Sequence, residues 1–328
     1  PFPRVGAATA PARSPAPGGP AALDTRDGPA TPCARPAPQP AVAQRPRRLS
    51  VSDTRTLIAD PYAFYAKAVL RLFPLDPLDQ DVGAIEYGNL VHAALHGFLA
   101  TLGTGWPGEA AAIAAWEQAA GKALAEFESR PAVVAFWGPR LGNIGRFVVD
   151  EERALREKGA LSACWPEVKG ETTLAIGGTN IAIQARADRI DRLANGGWRV
   201  VDYKTGQPPS NPELANGKAP QLPMEALILA RGGFPGAPAG STVTDMLYWR
   251  LTGGEVPGEG KPMQTVERQT GTPLVDLAAD RLVALAERYL VGDAPFASRP
   301  HPARSAPGGD YDHLARIAEW SAAEDDGA

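Results

Sequence analysis

The sequence predicts an α/β domain in which a mixed central sheet is flanked by helices and preceded by an N-terminal helical region. Three observations carry this. Apolar residues recur at helical spacing through about residues 52–158. Three strand-like runs follow, separated by the turn signals Gly177-Gly178 and Asn195-Gly196-Gly197. A helix, a strand and a further helix then close the chain, an order that builds α/β layers.

Residues 1–48 hold twelve prolines and twelve alanines with Phe2 as the single aromatic. Such a segment buries too little apolar surface to offset its ordering entropy, so it reads as a disordered, semi-rigid linker. A basic arm touching nucleic acid through Arg45, Arg47 and Arg48 is the alternative to a plain tether. The domain is expected over 49–322, with 49–160 helical, 161–322 the α/β core, and 323–328 a disordered tail. Ser52 or Asp53 caps a first helix running to about Leu72, with Leu57, Ile58, Tyr62, Tyr65, Val69 and Leu72 on its apolar face and a break at Pro61. A second helix covers Val82–Thr101, with Ile85, Leu90, Val91, Leu95 and Phe98 inward. Two more are expected near Glu109–Glu128 and Ile144–Lys158. Trp165–Ile176, Asn180–Asp191 and Gly197–Lys204 form a three-stranded meander. After a loop at 207–220 come a helix over Gln221–Ala230, a strand over Thr242–Leu251, a helix over Leu274–Leu290 and a short one over Asp312–Trp320.

The chain of 328 residues is 44% hydrophobic and 21% charged, an ordinary globular composition. It contains neither an apolar run of the roughly 18 residues a membrane span needs nor a signal-peptide core. It begins Pro1-Phe2-Pro3, which reads as a piece of a longer polypeptide. Cys33 and Cys164 are its two cysteines, too few for a disulfide framework or a four-thiolate cluster, and a cytoplasmic location is expected. Net charge is −4, with +5 concentrated in residues 1–48 and −9 on the rest. An acidic domain speaks against broad binding of duplex DNA, but not against a narrow site reaching phosphate through bound cations.

The chemistry concentrates in Trp198–Gly206. Strand alternation puts Asp202 and Lys204 on one face, and the turn at 195–197 folds the preceding strand back so that Asp188 approaches Asp202. Two carboxylates at about 4–5 Å repel by several kcal/mol at an effective dielectric near 20. A divalent cation relieves this, and hard oxygen ligands suit Mg²⁺ or Mn²⁺. With Lys204 alongside to hold a phosphate or a water, the set matches the needs of phosphodiester hydrolysis. A buried structural Asp–Lys pair is the bland alternative for the tripeptide alone.

Four blocks in order resemble the RecB-like nuclease family of the PD-(D/E)XK superfamily: Gly88-Asn89-Leu90-Val91-His92, Ala187-Asp188-Arg189-Ile190-Asp191, Val201-Asp202-Tyr203-Lys204-Thr205-Gly206, and Gln221-Leu222-Pro223-Met224-Glu225-Ala226. The last has Glu225 where the family usually has tyrosine. Ser50-Val51-Ser52, Asp60-Pro61-Tyr62-Ala63-Phe64-Tyr65 and Tyr311-Asp312-His313-Leu314-Ala315-Arg316 make the likeness greatest to the C-terminal nuclease domains of AddB-type subunits. The resemblance covers about residues 50–322. It implies a restriction-endonuclease-like core and a Mg²⁺-dependent (or Mn²⁺-dependent) exonuclease in a helicase–nuclease that processes broken DNA ends for recombination. It also implies helicase-like parts upstream in the same polypeptide, an AddA-like partner subunit, single-stranded or unwound DNA as substrate, no membrane association, and residence near the bacterial nucleoid.

By the same resemblance His92, Asp188, Asp202 and the Tyr203 carbonyl hold the metal, Lys204 is the catalytic lysine, and Gln221 orients DNA or the lysine. On the residues alone a lone helical histidine such as His92 is more often a satisfied core residue, and the resemblance is what favours ligation. His96 is read as structural, Asp191 as capping the turn or pairing with Arg189 or Arg192, and Glu171 as solvent-facing, with a place near the metal as the alternative. Several AddB-type domains join their two ends through a four-cysteine iron–sulfur cluster. Here Asp60 stands in place of one cysteine, so no cluster is expected, and packing of Tyr62, Tyr65 and Trp320 is expected to join the ends instead. A catalytically silent DNA-binding or scaffolding module, or a protein–protein adaptor, would be expected to have lost Lys204 or a carboxylate.

Overall fold

The structure, a computed structural model, describes residues 33–75, 82–263, 267, 271–300 and 308–325. Most of the N-terminal segment read as a linker, residues 1–32, lies outside the described residues. Two compact units divide the chain: Pro36–Tyr311, and a smaller one made of Pro1–Arg35 with Asp312–Ala328.

In the larger unit the elements run in this order: β1 Arg48–Ser50, α1 Val51–Ala59, α2 Pro61–Ala68, α3 Ala84–Leu102, α4 Glu109–Leu124, α5 Pro131–Arg156, β2 Leu161–Ile176, β3 Thr179–Leu193, β4 Trp198–Lys204, α6 Asn211–Ala215, α7 Gln221–Ala230, β5 Val243–Arg250, β6 Glu259–Pro262 and α8 Leu274–Ala286. The six strands form one mixed sheet. β2, β3 and β4 pair antiparallel in sequence, as the meander requires, while β1 joins β3 and β5 joins β4 in parallel. The parallel β4–β5 step needs a crossover, and α6 and α7 supply it.

The strand alternation of β4 divides the core in two. Val200 belongs to the cluster with Leu49, Leu57, Phe64, Met224, Tyr248 and Leu282, whereas Val201 and Tyr203 belong to the cluster built on α3, α4 and α5 with Leu95, Phe98, Trp116 and Ile144. Helices therefore cover both faces, and a mixed sheet flanked by helices is what the sequence predicts.

The first expected helix is broken where Pro61 requires. Asp60 ends α1 and caps α2, its Oδ1 accepting from the Tyr62 and Ala63 amides at 3.0 and 3.4 Å. The same oxygen accepts from the Arg299 amide at 3.1 Å, so Asp60 ties the start of the domain to the segment after α8. The Tyr62 and Tyr65 rings lie 6.0 Å apart and tilted, and Tyr65 stacks on Phe296. In the smaller unit Arg35 lies over the Trp320 ring, whose Nε1 donates to the Ala315 carbonyl at 2.9 Å. A terminal helix, α9, spans Ile317–Asp325, later than the expected Asp312–Trp320.

Four expectations shift. The composition-based linker boundary at 48 falls inside a packed stretch. Arg45 is buried and donates to the Tyr289 and Ala294 carbonyls, and Pro36 and Pro38 accept from Ser298 and Phe296. Arg45 is thus a structural anchor rather than part of a free basic arm. Helix α5 starts at Pro131 rather than near 144, because Pro131 is well placed in the first turn and the helix tolerates Pro139. Ile85 is 70% exposed, since the first turn of α3 projects beyond the core. Leu72, 43% exposed, lies past the end of α2.

A fully buried ion network locks α5 to the sheet. Arg189 donates through Nε to both oxygens of Asp191 at 2.8 and 2.9 Å and through Nη1 to Glu152, which also accepts from Arg156 at 2.8 Å. Asp191 further accepts from Arg199, its direct cross-strand neighbour. Asp191 thus pairs with Arg189, one of the expected choices, and with Arg199 in place of Arg192. Burial opposes the Asp191 charge, but Arg189 and Arg199 hold its carboxyl below the usual carboxylate range. Removing Arg189 takes from each of two buried carboxylates one of its two cationic partners, so Arg189→Met is expected to cost about 3–5 kcal/mol in urea unfolding. A loss within ~0.5 kcal/mol, the range of surface substitutions, would contradict this role.

Candidate metal and catalytic centre

The β3–β4 ladder runs from Arg192/Trp198 to Arg189/Val201 and ends there. The next positions along the two strands are Asp188 and Asp202, and the parting of the strands opens the site. The backbone amide of Tyr203, freed from the ladder, donates to Asp188 Oδ2 at 2.8 Å. This fixes the Asp188 carboxylate against β4.

On the side of Asp188, His92 reaches in from α3. Its Nδ1 lies 3.4 Å from Asp188 Oδ1 and 3.5 Å from Glu167 Oε1, and its Nε2 lies 3.2 Å from the Tyr203 carbonyl oxygen. Burial disfavours a charge on the imidazole, but hydrogen bonding to Asp188 and Glu167 outweighs it and pushes the pKa up to about 10. Burial likewise opposes the Asp188 charge, yet the His92 contact and the Tyr203 amide hold its carboxyl below the usual range.

On the other side, Lys204 Nζ lies 2.5 Å from Asp202 Oδ2 and donates to Gln221 Oε1 at 3.1 Å. Asp202 is fully buried; burial and the neighbouring Asp188 charge push its pKa up to about 7, against the pull of Lys204. The sequence-predicted residues are therefore brought together: His92, Asp188 and the Tyr203 carbonyl in one cluster, Asp202, Lys204 and Gln221 in the adjoining one. His96, four residues along α3, is exposed and stands apart.

Glu167 is the residue that sequence reasoning missed. Its ligand atom lies with those of His92 and Asp188 within 4.8 Å of one another, a group able to hold a metal ion. Glu171, the acid considered in its place, is exposed and paired with Gln184. Glu167 turns inward because its φ is +50°, a kink in the middle of β2 beside Pro166. Its other oxygen accepts from Arg186 Nε at 2.8 Å, which holds the carboxylate in place. The readable signal was Pro166 within a strand, which marks a bulge or a bend.

The donor set fits a divalent cation. Glu167 and Asp188 offer hard oxygens and His92 a nitrogen, a combination suited to Mn²⁺ as well as Mg²⁺. Asp202 Oδ1, buried next to them, has no hydrogen-bond partner among the described residues. Glu167→Gln is therefore expected to weaken Mn²⁺ binding by at least ~10-fold, the loss seen even for supporting residues of metal sites, while Glu171→Gln leaves it unchanged. Equal effects of the two in a Mn²⁺ titration would remove Glu167 from the site.

The family model described as PD-(D/E)XK nuclease superfamily matches residues 48–305. The chain belongs to this superfamily. Where strands β3 and β4 part, Asp188, Asp202 and Lys204 follow the order of two acids and a lysine in the superfamily's name. Uncharacterized proteins of Rickettsia bellii and Rickettsia typhi are 30% identical over 193 residues and 29% identical over 199, each match covering 58% of this chain and 22% of the relative. The chain thus spans about a fifth of the length of these curated relatives. The crystal structure of SSO0001 is similar over 72% of this chain and 76% of its own, at 16% identity and a TM-score of 0.28. None of the described helices is long and apolar enough to cross a membrane.

Proposed function

We propose that this nuclease-superfamily domain hydrolyses phosphodiester bonds of single DNA strands with Mg²⁺ or Mn²⁺, as the exonuclease part of a helicase–nuclease that processes double-strand breaks. The observation that carries the reading is the complete catalytic set: Asp188, Asp202 and Lys204 converge beside His92 and Glu167 at one end of the sheet. A bound cation would supply an activated water and neutralise charge building on phosphorus. Lys204 adds a positive charge at the same place, and Gln221, accepting from its ammonium, sets its direction. Asp188, fixed by the Tyr203 amide, and Glu167, fixed by Arg186, hold the ligand geometry before substrate arrives.

A groove of about 1280 Å³ leads to Lys204 and Gln221, and Arg55, Lys169, Arg186 and Lys218 lie along it. On an acidic domain these cations confine phosphate contacts to one path. The likeness to AddB-type domains supports an AddA-like partner, helicase-like parts upstream and a nucleoid-associated place in the cell.

The experiment is strand-specific cleavage of an end-labelled duplex by the chain assembled with an AddA-like partner and ATP. Asp202→Ala in this chain is expected to spare one strand, that of 5′ polarity, while the partner still cuts the other. Unchanged cleavage of both strands would refute the assignment.

A further inference from the structure

We propose that Arg250 holds the phosphate next to the scissile one, so that a DNA strand crosses β4 and is gripped on both sides of the bond being cut. This deepens the nuclease reading and rests on it.

The sheet register places the arginine. Lys204 at the end of β4 stands directly beside Arg250 at the end of β5, as Asp202 stands beside Tyr248. Paired positions of neighbouring strands share a face and lie about 5 Å apart. Val200 and Tyr248 pack in one core cluster and Val201 and Trp249 in the other, so Arg250 projects with Lys204 on the face of Asp202. The Leu251 amide donates to the Lys204 carbonyl at 2.7 Å and fixes the two strand ends against each other.

The fold makes little use of this cation. Its guanidinium makes one hydrogen bond among the described residues, from Nη1 to Glu259 Oε1 at 3.1 Å. The two side chains are 31% and 54% exposed, and an exposed ion pair of this kind adds little to stability. Nε is enclosed without an acceptor. Arg189, by contrast, is fully buried against Glu152 and Asp191. On β6, Lys261 stands across from Tyr248 and is committed to the Pro209 carbonyl at 2.6 Å. Arg250 is thus the cation beside Lys204 whose planar fork a phosphate can take in exchange for Glu259.

Its place in the sheet gives it a distinct task. Along the groove, Arg55, Lys169 and Arg186 come from α1, β2 and β3, on the Asp188 side of β4. β5 lies on the other side. A strand held by the first set alone is free to swing beyond Lys204. A contact at Arg250 fixes it there, and holding both sides aligns the scissile phosphate with the attacking water. Glu259 keeps the fork oriented before substrate arrives.

The test is binding of a fluorescent single-stranded oligonucleotide by the full 328-residue chain, followed by anisotropy across a NaCl series with Ca²⁺ in place of Mg²⁺. Arg250→Met is expected to weaken binding at least ~10-fold, the value of one charge-assisted hydrogen bond. It should also make the slope of log K against log salt shallower by about 0.7, the share of one phosphate contact on a single strand. Arg250→Lys, which keeps the charge and loses the fork, is expected to keep the slope. Arg250→Gln gives the same reading as the methionine variant should that one fold poorly, as checked by thermal unfolding. A wild-type slope in the uncharged variants would overturn the contact even if affinity fell, because a structural role releases no counterion, and would leave the nuclease reading standing. A wild type that binds no strand would overturn both.

Discussion

Asp202→Asn is expected to abolish metal-dependent cleavage while leaving the fold at least as stable as in the wild type above neutral pH. The loss of activity follows from position: Asp202 is fully buried, neighbours Asp188 in charge, and touches the Lys204 ammonium. The gain in stability follows from the sign of its pKa shift. Burial and Asp188 raise the folded value to about 7, above the ordinary 3.8. Between those values the unfolded chain loses the proton first, so the folded state is penalised progressively as pH rises through that window. Asparagine removes the penalty. With chelator present, urea unfolding of wild type and Asp202→Asn should therefore agree near pH 4 and diverge toward pH 8, the variant being the more stable. A variant that unfolds more easily at pH 8 would show that the carboxylate is stabilising, and cleavage by it would move the catalytic centre elsewhere.

Lys204→Ala is expected to lower turnover by at least ~10²-fold, the loss that follows deletion of one charge-stabilising donor. Mn²⁺ affinity should be roughly kept, because the ligand atoms of His92, Glu167 and Asp188 do not depend on the ammonium. The side chain is 30% exposed, so its removal leaves no large cavity. Gln221 meets the lysine rather than the metal ligands, and Gln221→Ala should give a smaller defect of the same kind. Turnover unchanged by Lys204→Ala would remove the lysine from the mechanism. A loss of Mn²⁺ binding in step with activity would make it a structural partner of Asp202.

Much of the fold was legible because its signals are local. Two-residue periodicity between glycine-containing turns marks β2 to β4, and that alternation places Asp202 and Lys204 on one face and Tyr203 on the other, as the two core clusters show. Helix α7 lies over Gln221–Ala230 as expected. What escaped depends on distant chain. β1 is three residues long and exists through its pairing with β3, so nothing in its own sequence announces it. β6, α6 and the packing of residues 36–45 against the segment after α8 are of the same kind.

Within the site, Glu167 was hidden because regular alternation does not foresee a residue with positive φ in mid-strand. Asp191 could have been paired with Arg199 from the hairpin register alone, since the two stand directly opposite. The buried Glu152–Arg189 contact could not, because it joins α5 to β3 across 37 residues.

The measurement that tests the account most directly is cleavage of end-labelled single-stranded DNA by the purified chain, with Mg²⁺, with Mn²⁺ and with chelator, beside Asp202→Ala. The account predicts cutting with either metal, none with chelator and none by the variant. Cutting that survives chelator or the loss of Asp202 would contradict it.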